Sequence, residues 1–149
     1  TGEDTLSLHD ALPISLNITA FFMKKGAGQL VDGTVYLDAN LDESLFLTPV
    51  DTTKRVSDYM IDLRSKEVRD VKILIPEKME VSSLPAPYQI HTAWVDFCRT
   101  YSQTGNQIVM HKECVIHHRR VPRSEIPAWN KIISDWGAAC NEQVVLKEK

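Results

Sequence analysis

HTAWVDFCRTYSQTGNQIVMHKECVIHH, residues 91–118, contains two long runs in which apolar and polar residues alternate. Alternation with a period of two is the mark of a β-strand with one face on a core. A turn at Thr104-Gly105 would fold the two runs onto each other as an antiparallel hairpin. Ala93, Val95, Phe97 and Tyr101 then share one face with Ile108, Met110, Cys114 and Ile116. Trp94, Asp96, Cys98, Thr100, Val109, His111, Glu113 and Val115 take the other. Moving one strand by a single residue would mix the two sets, so the pattern supports its own pairing. Arg99 and Lys112 are the exceptions on the apolar side and are expected near its margin. With the turn at Thr104-Gly105, Cys98 lies directly opposite His111.

Beyond the hairpin the period changes. In PRSEIPAWNKIISDWGAACNEQVVLK, Trp129, Ile132, Ile133, Trp136 and Cys140 recur at helical spacing over about four turns. The pattern predicts a helix over 124–140, with Ser124 as N-cap and Pro127 tolerated in the first turn. Asn141 closes it, and QVVLK reads as a short final strand. Ahead of the hairpin, Val71, Ile73 and Ile75 share a face that Pro76 ends, since proline cannot donate to a ladder. Residues 54–64 split their apolar groups over two faces. SSLPAP is a break, and residues 40–53 read as an irregular connection. Asp32-Gly33 predicts a tight turn between the β-formers QLV and TVYL. LNITAFFM, residues 16–23, is a weak strand broken by KKGAG. Its Asn17-Ile18-Thr19 fits the glycosylation acceptor pattern, which chance supplies often.

The first residues read differently. Thr5–Ile14, TLSLHDALPI, follows neither period, yet it resembles the translation of a widely used short-read sequencing adapter, ACT-CTT-TCC-CTA-CAC-GAC-GCT-CTT-CCG-ATC, without a mismatch. Residues 1–14 are therefore set aside as adapter-derived. The expectation is that the natural N-terminus is missing and that any leader went with it. Residues 15–49 are then the first strands or part of an upstream neighbour, and 50–149 form the C-terminal β domain.

The 149 residues suffice for a core, since a chain of this length buries roughly 68–70% of its unfolded surface. A composition of 43% hydrophobic and 25% charged residues is that of a folded domain. The net charge of -3 gives no electrostatic case for nucleic acid. No apolar run reaches the roughly 18–20 residues of a membrane span. Cys98, Cys114 and Cys140 show no C-x-x-C spacing, so a structural zinc site has no support from spacing.

The succession VRDVKILIPEKMEVSSLPAP, the hairpin, the helix and QVVLK together resemble one bacterial family. It is the C-terminal domain of unknown function found in large exported proteins with a transglutaminase-like core. The matching elements are Ile75-Pro76, Leu84-Pro85, Gly105-Asn106 at the hairpin turn, Pro122 to Pro127 leading into the helix, and Val144 to Leu146. They span roughly residues 50–147. Lys78 departs from the glycine such domains often carry there. The resemblance implies a non-catalytic accessory domain of an exported, periplasmic or cell-surface protein, partnered by upstream domains of the same chain. The Cys-His-Asp core of such proteins would lie upstream. TVYLDA is similar to the strand that bears the aspartate there, but no matching cysteine or histidine precedes Asp38, which reads as a strand-end surface residue.

The expected fold is mainly antiparallel β and sandwich-like, with one C-terminal helix and a short final strand. No catalytic, cofactor-binding or metal-binding residues are assigned. Cys98 and His111, with Asp96 and Glu113 on the same face, are a surface candidate for a metal or a thiolate–imidazolium couple. The ordinary reading is a mixed sheet face with Trp94 covered from upstream. The cationic run His117, His118, Arg119, Arg120 is a candidate for an anion or an acidic partner, against the ordinary reading of a solvated connection. Two other functions stay open: a ligand-binding module for a cell-surface polymer, and the tail of a catalytic domain whose nucleophile lies upstream. An aromatic-rich groove would favour the first; a flat polar face would favour the accessory role. Deleting residues 1–14 is expected to leave the melting temperature unchanged; a loss of several degrees would show that they belong to the fold.

Overall fold

The computed structural model describes residues 27–40, 48–61 and 66–149. The weak strand over 16–23, its glycosylation pattern and the adapter-like residues lie outside them. Ten strands and one helix follow in order: β1 (Gly28–Val31), β2 (Thr34–Leu37), β3 (Tyr59–Met60), β4 (Lys66–Leu74), β5 (Met79–Ser83), β6 (Tyr88–His91), β7 (Val95–Thr104), β8 (Gln107–Ile116), β9 (Arg120–Val121), α1 (Ile126–Cys140) and β10 (Val144–Glu148). Three antiparallel sheets result: β4-β8-β7-β6, β1-β2-β10-β5 and the small pair β3-β9. The mainly β architecture with one C-terminal helix and a final strand is as the alternation and its change of period predict.

Two turns set the local geometry. Asp32 and Gly33 both have positive φ, 48° and 74°, the type I′ turn that joins β1 to β2. Between β7 and β8 the loop is Gly105-Asn106, with Thr104 paired to Gln107. Gly105 alone has positive φ, 59°, as a type II′ turn requires at its first central position. The turn therefore falls one residue later than Thr104-Gly105, and every pair across the hairpin moves by two. A shift of two keeps each residue on its predicted face. It changes the neighbours: Cys98 opposes Glu113, and His111 opposes Thr100.

The inner face of β4-β8-β7-β6 rests on two different supports. Val95, Phe97 and Ile116 pack with Ile61 and Val121 against the apolar stripe of α1, from Ile126 to Cys140. Trp136 stacks on Phe97, with centroids 4.5 Å apart and planes 8° off parallel. Trp94, predicted on the other face, packs here too: it meets Trp129 edge-on at 6.4 Å. Asn130 grips the backbone of Val50 through both amide atoms, at 2.7 and 2.9 Å, tying the segment before β3 to the helix. At the other end Ile108 and Ile75 pack with Val144 and Leu146 of β10, backed by Val35, Leu37 and Val81.

The helix starts at Ile126, two residues after the predicted start. Arg123–Glu125 form a 3-10 turn and Glu125 is the N-cap, without a side-chain hydrogen bond. Pro127 then sits in the first turn and Ser124 is not the cap. Asn141 closes the helix as expected. β5 and β6 are short strands that the alternation did not mark; β5 includes Ser82 and Ser83, so the break read over SSLPAP begins only at Leu84.

Between the two supports lies a row of cations. Arg69 on β4 pairs with Lys112 on β8, Lys112 with Arg99 on β7, and Arg99 with Tyr88 on β6. Arg99 and Lys112 are 1% and 6% exposed, so neither lies at a margin. Partners make this possible. Arg99 Nη2 donates to Glu142 Oε2 at 2.6 Å and to the Ala86 carbonyl at 3.1 Å, and the guanidinium lies 5.3 Å from the Tyr101 ring. Lys112 Nζ donates to Asn40 Oδ1 at 2.9 Å. Arg99 Nε and Nη1 have no hydrogen-bond partner. Removing the Glu142 charge leaves a buried guanidinium under-compensated, whereas removing Arg99 leaves a half-exposed carboxylate that water can solvate. Glu142→Gln should therefore cost about 1–3 kcal/mol, and Arg99→Met less. In the Arg99→Met background Glu142→Gln should be nearly neutral. Urea unfolding of the four proteins tests this; an additive double variant would reject it.

Candidate functional site

The outer face of β4-β8-β7-β6 carries the chemistry-bearing side chains. Its residues form cross-strand rows. Lys66, Val115, Asp96 and His91 make the first, and Val68, Glu113, Cys98 and Gln89 the second. Asp70, His111 and Thr100 follow, then Lys72, Val109 and Ser102. None of these side chains is Phe, Tyr or Trp.

Asp96 is the centre of the first row. Its Oδ1 lies 3.2 Å from His91 Nδ1 and its Oδ2 lies 2.8 Å from His117 Nε2. Desolvation pushes this carboxyl up, but hydrogen bonds from His117 and His91 outweigh it and hold the carboxyl below its usual value. His117 reaches Asp96 because its backbone N–H donates to the Trp94 carbonyl at 2.7 Å, fixing the exit of β8. Glu113 takes a hydrogen bond from Lys66 Nζ at 2.8 Å, which lowers its carboxyl as well. His111 Nδ1 lies 2.8 Å from Asp70 Oδ1, while its Nε2 is 3.8 Å from Glu113 Oε2. A shallow depression of about 180 Å³ lies among Gln89, His91, Asp96, Cys98 and Glu113. Among the described residues no group of three or more His, Cys, Asp or Glu side chains is placed to hold a metal ion.

The structure thus keeps Cys98 and His111 on one face but does not make them a couple. His111 is engaged by Asp70 instead, because the Gly105-Asn106 turn moved it one pair along. His91, Lys66 and Asp70 complete the face. His91 sits on β6, which alternation did not mark; its signal would have been the Tyr88-x-Ile90 pair pointing inward.

The other two cysteines face the interior. Cys114 lies opposite Phe97 and Glu67, and burial, with Glu67 nearby, pushes its thiol up to about 12. Cys140 is buried in the helix stripe. Cys98 and Cys114 occupy opposite sheet faces, as predicted.

The cationic run is a staple. Arg119 Nε donates to the Ile61 carbonyl at 3.0 Å. Arg120 Nε and Nη2 both reach Asp58 Oδ2 at 2.6 Å, and Asp58 Oδ1 accepts from the Arg123 backbone N–H at 2.8 Å. These bonds, the backbone one first, hold the Asp58 carboxyl below its usual value. The run thereby secures β9 to β3, and of its members His118, Arg119 and Arg120 are exposed. Asp38 ends β2, with its Oδ1 accepting from the Asn40 backbone N–H at 2.8 Å.

Two four-stranded antiparallel sheets and a small strand pair, closed by one helix and a final strand, define a mainly β domain. The family is then specific: the model of DUF3858, a domain of unknown function with a solved structure, matches residues 33–146, and this chain belongs to that family. No curated protein matches. Among solved structures, a protein from Parabacteroides distasonis described as a "putative protease" is similar, with a TM-score of 0.63 and 15% identity. The match covers 78% of this chain and 24% of that one. At that identity the similarity is one of fold. Among the described residues no helix is long and apolar enough to cross a membrane.

The raised Cys114 thiol has a measurable sign. Its folded value lies above the unfolded one, so the stability it contributes is complete below about pH 8.5 and is lost as pH rises toward 12. Between pH 9 and 11 the wild type should lose stability faster than Cys114→Ala. Parallel slopes in urea titrations would contradict this.

Proposed function

We propose that this chain is a non-catalytic accessory domain of a larger exported bacterial protein, periplasmic or at the cell surface, whose transglutaminase-like, cysteine-peptidase-like core lies in upstream domains of the same polypeptide. The observation that carries this reading is the state of the three thiols. Cysteine acyl transfer needs a thiol beside an imidazole that a third group orients. Cys114 is held as a neutral thiol, Cys140 is packed in the helix stripe, and Cys98 faces Glu113 while the nearest imidazoles are engaged by Asp70 and Asp96. The partial overlap with a much longer solved protein supports the same reading.

The polymer-binding alternative draws no support from the outer face, whose described rows offer polar and aliphatic groups but no Phe, Tyr or Trp ring for a sugar to stack on. The test is an activity screen on the 149-residue chain. It should neither hydrolyse peptides nor exchange glutamine amides with amines, and iodoacetamide should label Cys98 no faster than a free thiol. Turnover abolished by Cys98→Ala would overturn the reading.

A further inference from the structure

The strand pair β3-β9 has an inner and an outer side. Tyr59 and Val121 face inward, Tyr59 against Trp129, so alternation turns their neighbours Met60 and Arg120, themselves a cross-strand pair, outward. Met60 is 52% exposed, and Val56 just ahead of it is 84% exposed. Around these two apolar groups stand Lys54, Arg55, Arg119, Arg120 and Arg123, in a chain whose net charge is -3. Asp58 gathers most of them. Its carboxylate takes Arg120 Nε and Nη2 and the Arg123 backbone N–H, and its carbonyl accepts from Arg55 Nη1 at 3.2 Å. Arg119 is held by the Ile61 carbonyl through Nε alone, which leaves both its terminal nitrogens over. Among the described residues, the side chains of Lys54, Arg119 and Arg123 meet no carboxylate.

We propose that this corner is a docking surface for an acidic polypeptide segment, whose carboxylates pair with Lys54, Arg119 and Arg123 while an apolar side chain of the same segment covers Val56 and Met60. Charge complementarity selects the occupant: three cations here lack a counter-charge, and an acidic segment supplies it. The composition agrees, since arginine and methionine are enriched where proteins meet. So does the tethering. Arg119 and Arg120 are already fixed by Ile61 and Asp58, and a side chain held before binding loses less entropy on binding. A polypeptide suits the surface better than a phosphate backbone or an anionic lipid layer. Asp51, Asp58 and Glu125 are interspersed with the cations and repel a uniformly negative surface, whereas a polypeptide can place its carboxylates opposite the cations alone.

The probe is a fluorescent glutamate-rich peptide carrying spaced leucines, titrated at low salt with the 149-residue chain and followed by anisotropy. It should bind, and added salt should weaken it, as screening of exposed charges requires. Lys54→Gln combined with Arg123→Gln should weaken binding by roughly 2–30-fold, the range for two exposed ion pairs. Val56→Ser with Met60→Ser should weaken the leucine-bearing peptide and leave an all-glutamate peptide unaffected. Lys72→Gln, a cation on β4, should change nothing. Should the Lys54 and Arg123 pair of changes disturb the fold, Val56→Ser, at a side chain open to solvent, carries the same test. Absence of peptide binding, an equal loss in Lys72→Gln, or tighter binding of a single-stranded oligonucleotide or of vesicles containing an anionic lipid would overturn the proposal.

Discussion

Like charges set side by side on a sheet repel, and burial multiplies the cost. Arg99 and Lys112 are paired across β7 and β8 and are almost wholly buried. The rest of the architecture accommodates that pair. It separates a helix-backed core from a sheet-backed one, and it draws in partners from distant parts of the chain. Asn40 comes from the end of the first hairpin, Ala86 from the loop before β6, and Glu142 from the connection after α1. A pair of buried cations thus acts as a meeting point of three segments. Two guanidinium nitrogens stay without hydrogen bonds, which costs stability.

The same sheet presents two unlike environments to its cysteines. On the inner side Cys114 sees apolar neighbours and a carboxylate, both of which oppose ionisation. On the outer side Cys98 sits among charged groups and histidines. Strand alternation alone sorts the thiols this way. The outer face is polar. Its charged groups are tied to one another, so the face is held together by its own ion pairs.

Much of this was legible in the amino-acid order. Alternation over 91–118 assigned the residues of β7 and β8 to their correct faces but misplaced Trp94, which packs on the helix, and Ala93, which is exposed; the spacing of Trp129, Ile132, Ile133, Trp136 and Cys140 gave the buried side of the helix. Resemblance to a C-terminal domain of unknown function pointed at Gly105-Asn106 as the turn, and the backbone agrees. Register was harder. A period of two cannot distinguish pairings that differ by two residues, and only the preference of glycine for the first position of a type II′ turn does so. That one ambiguity moved His111 away from Cys98. Arg99 and Lys112 were misplaced for another reason: their burial depends on Glu142 and Asn40, and no local pattern announces a partner so distant in sequence. β5 and β6 escaped notice because runs of only five and four residues leave too short a period to read.

The order β1-β2-β10-β5 puts the last described strand in the middle of its sheet. β2 and β5 therefore have no bond to each other, and each waits for Val144–Glu148. On a ribosome, the first hairpin and β5 emerge long before the strand that joins them. Until then both present unsatisfied edges and the apolar side chains that β10 later covers, a condition that invites pairing with other chains. Newly made copies of this domain thus pass through a window of vulnerability set by the topology, one that closes only when the final strand slides in between.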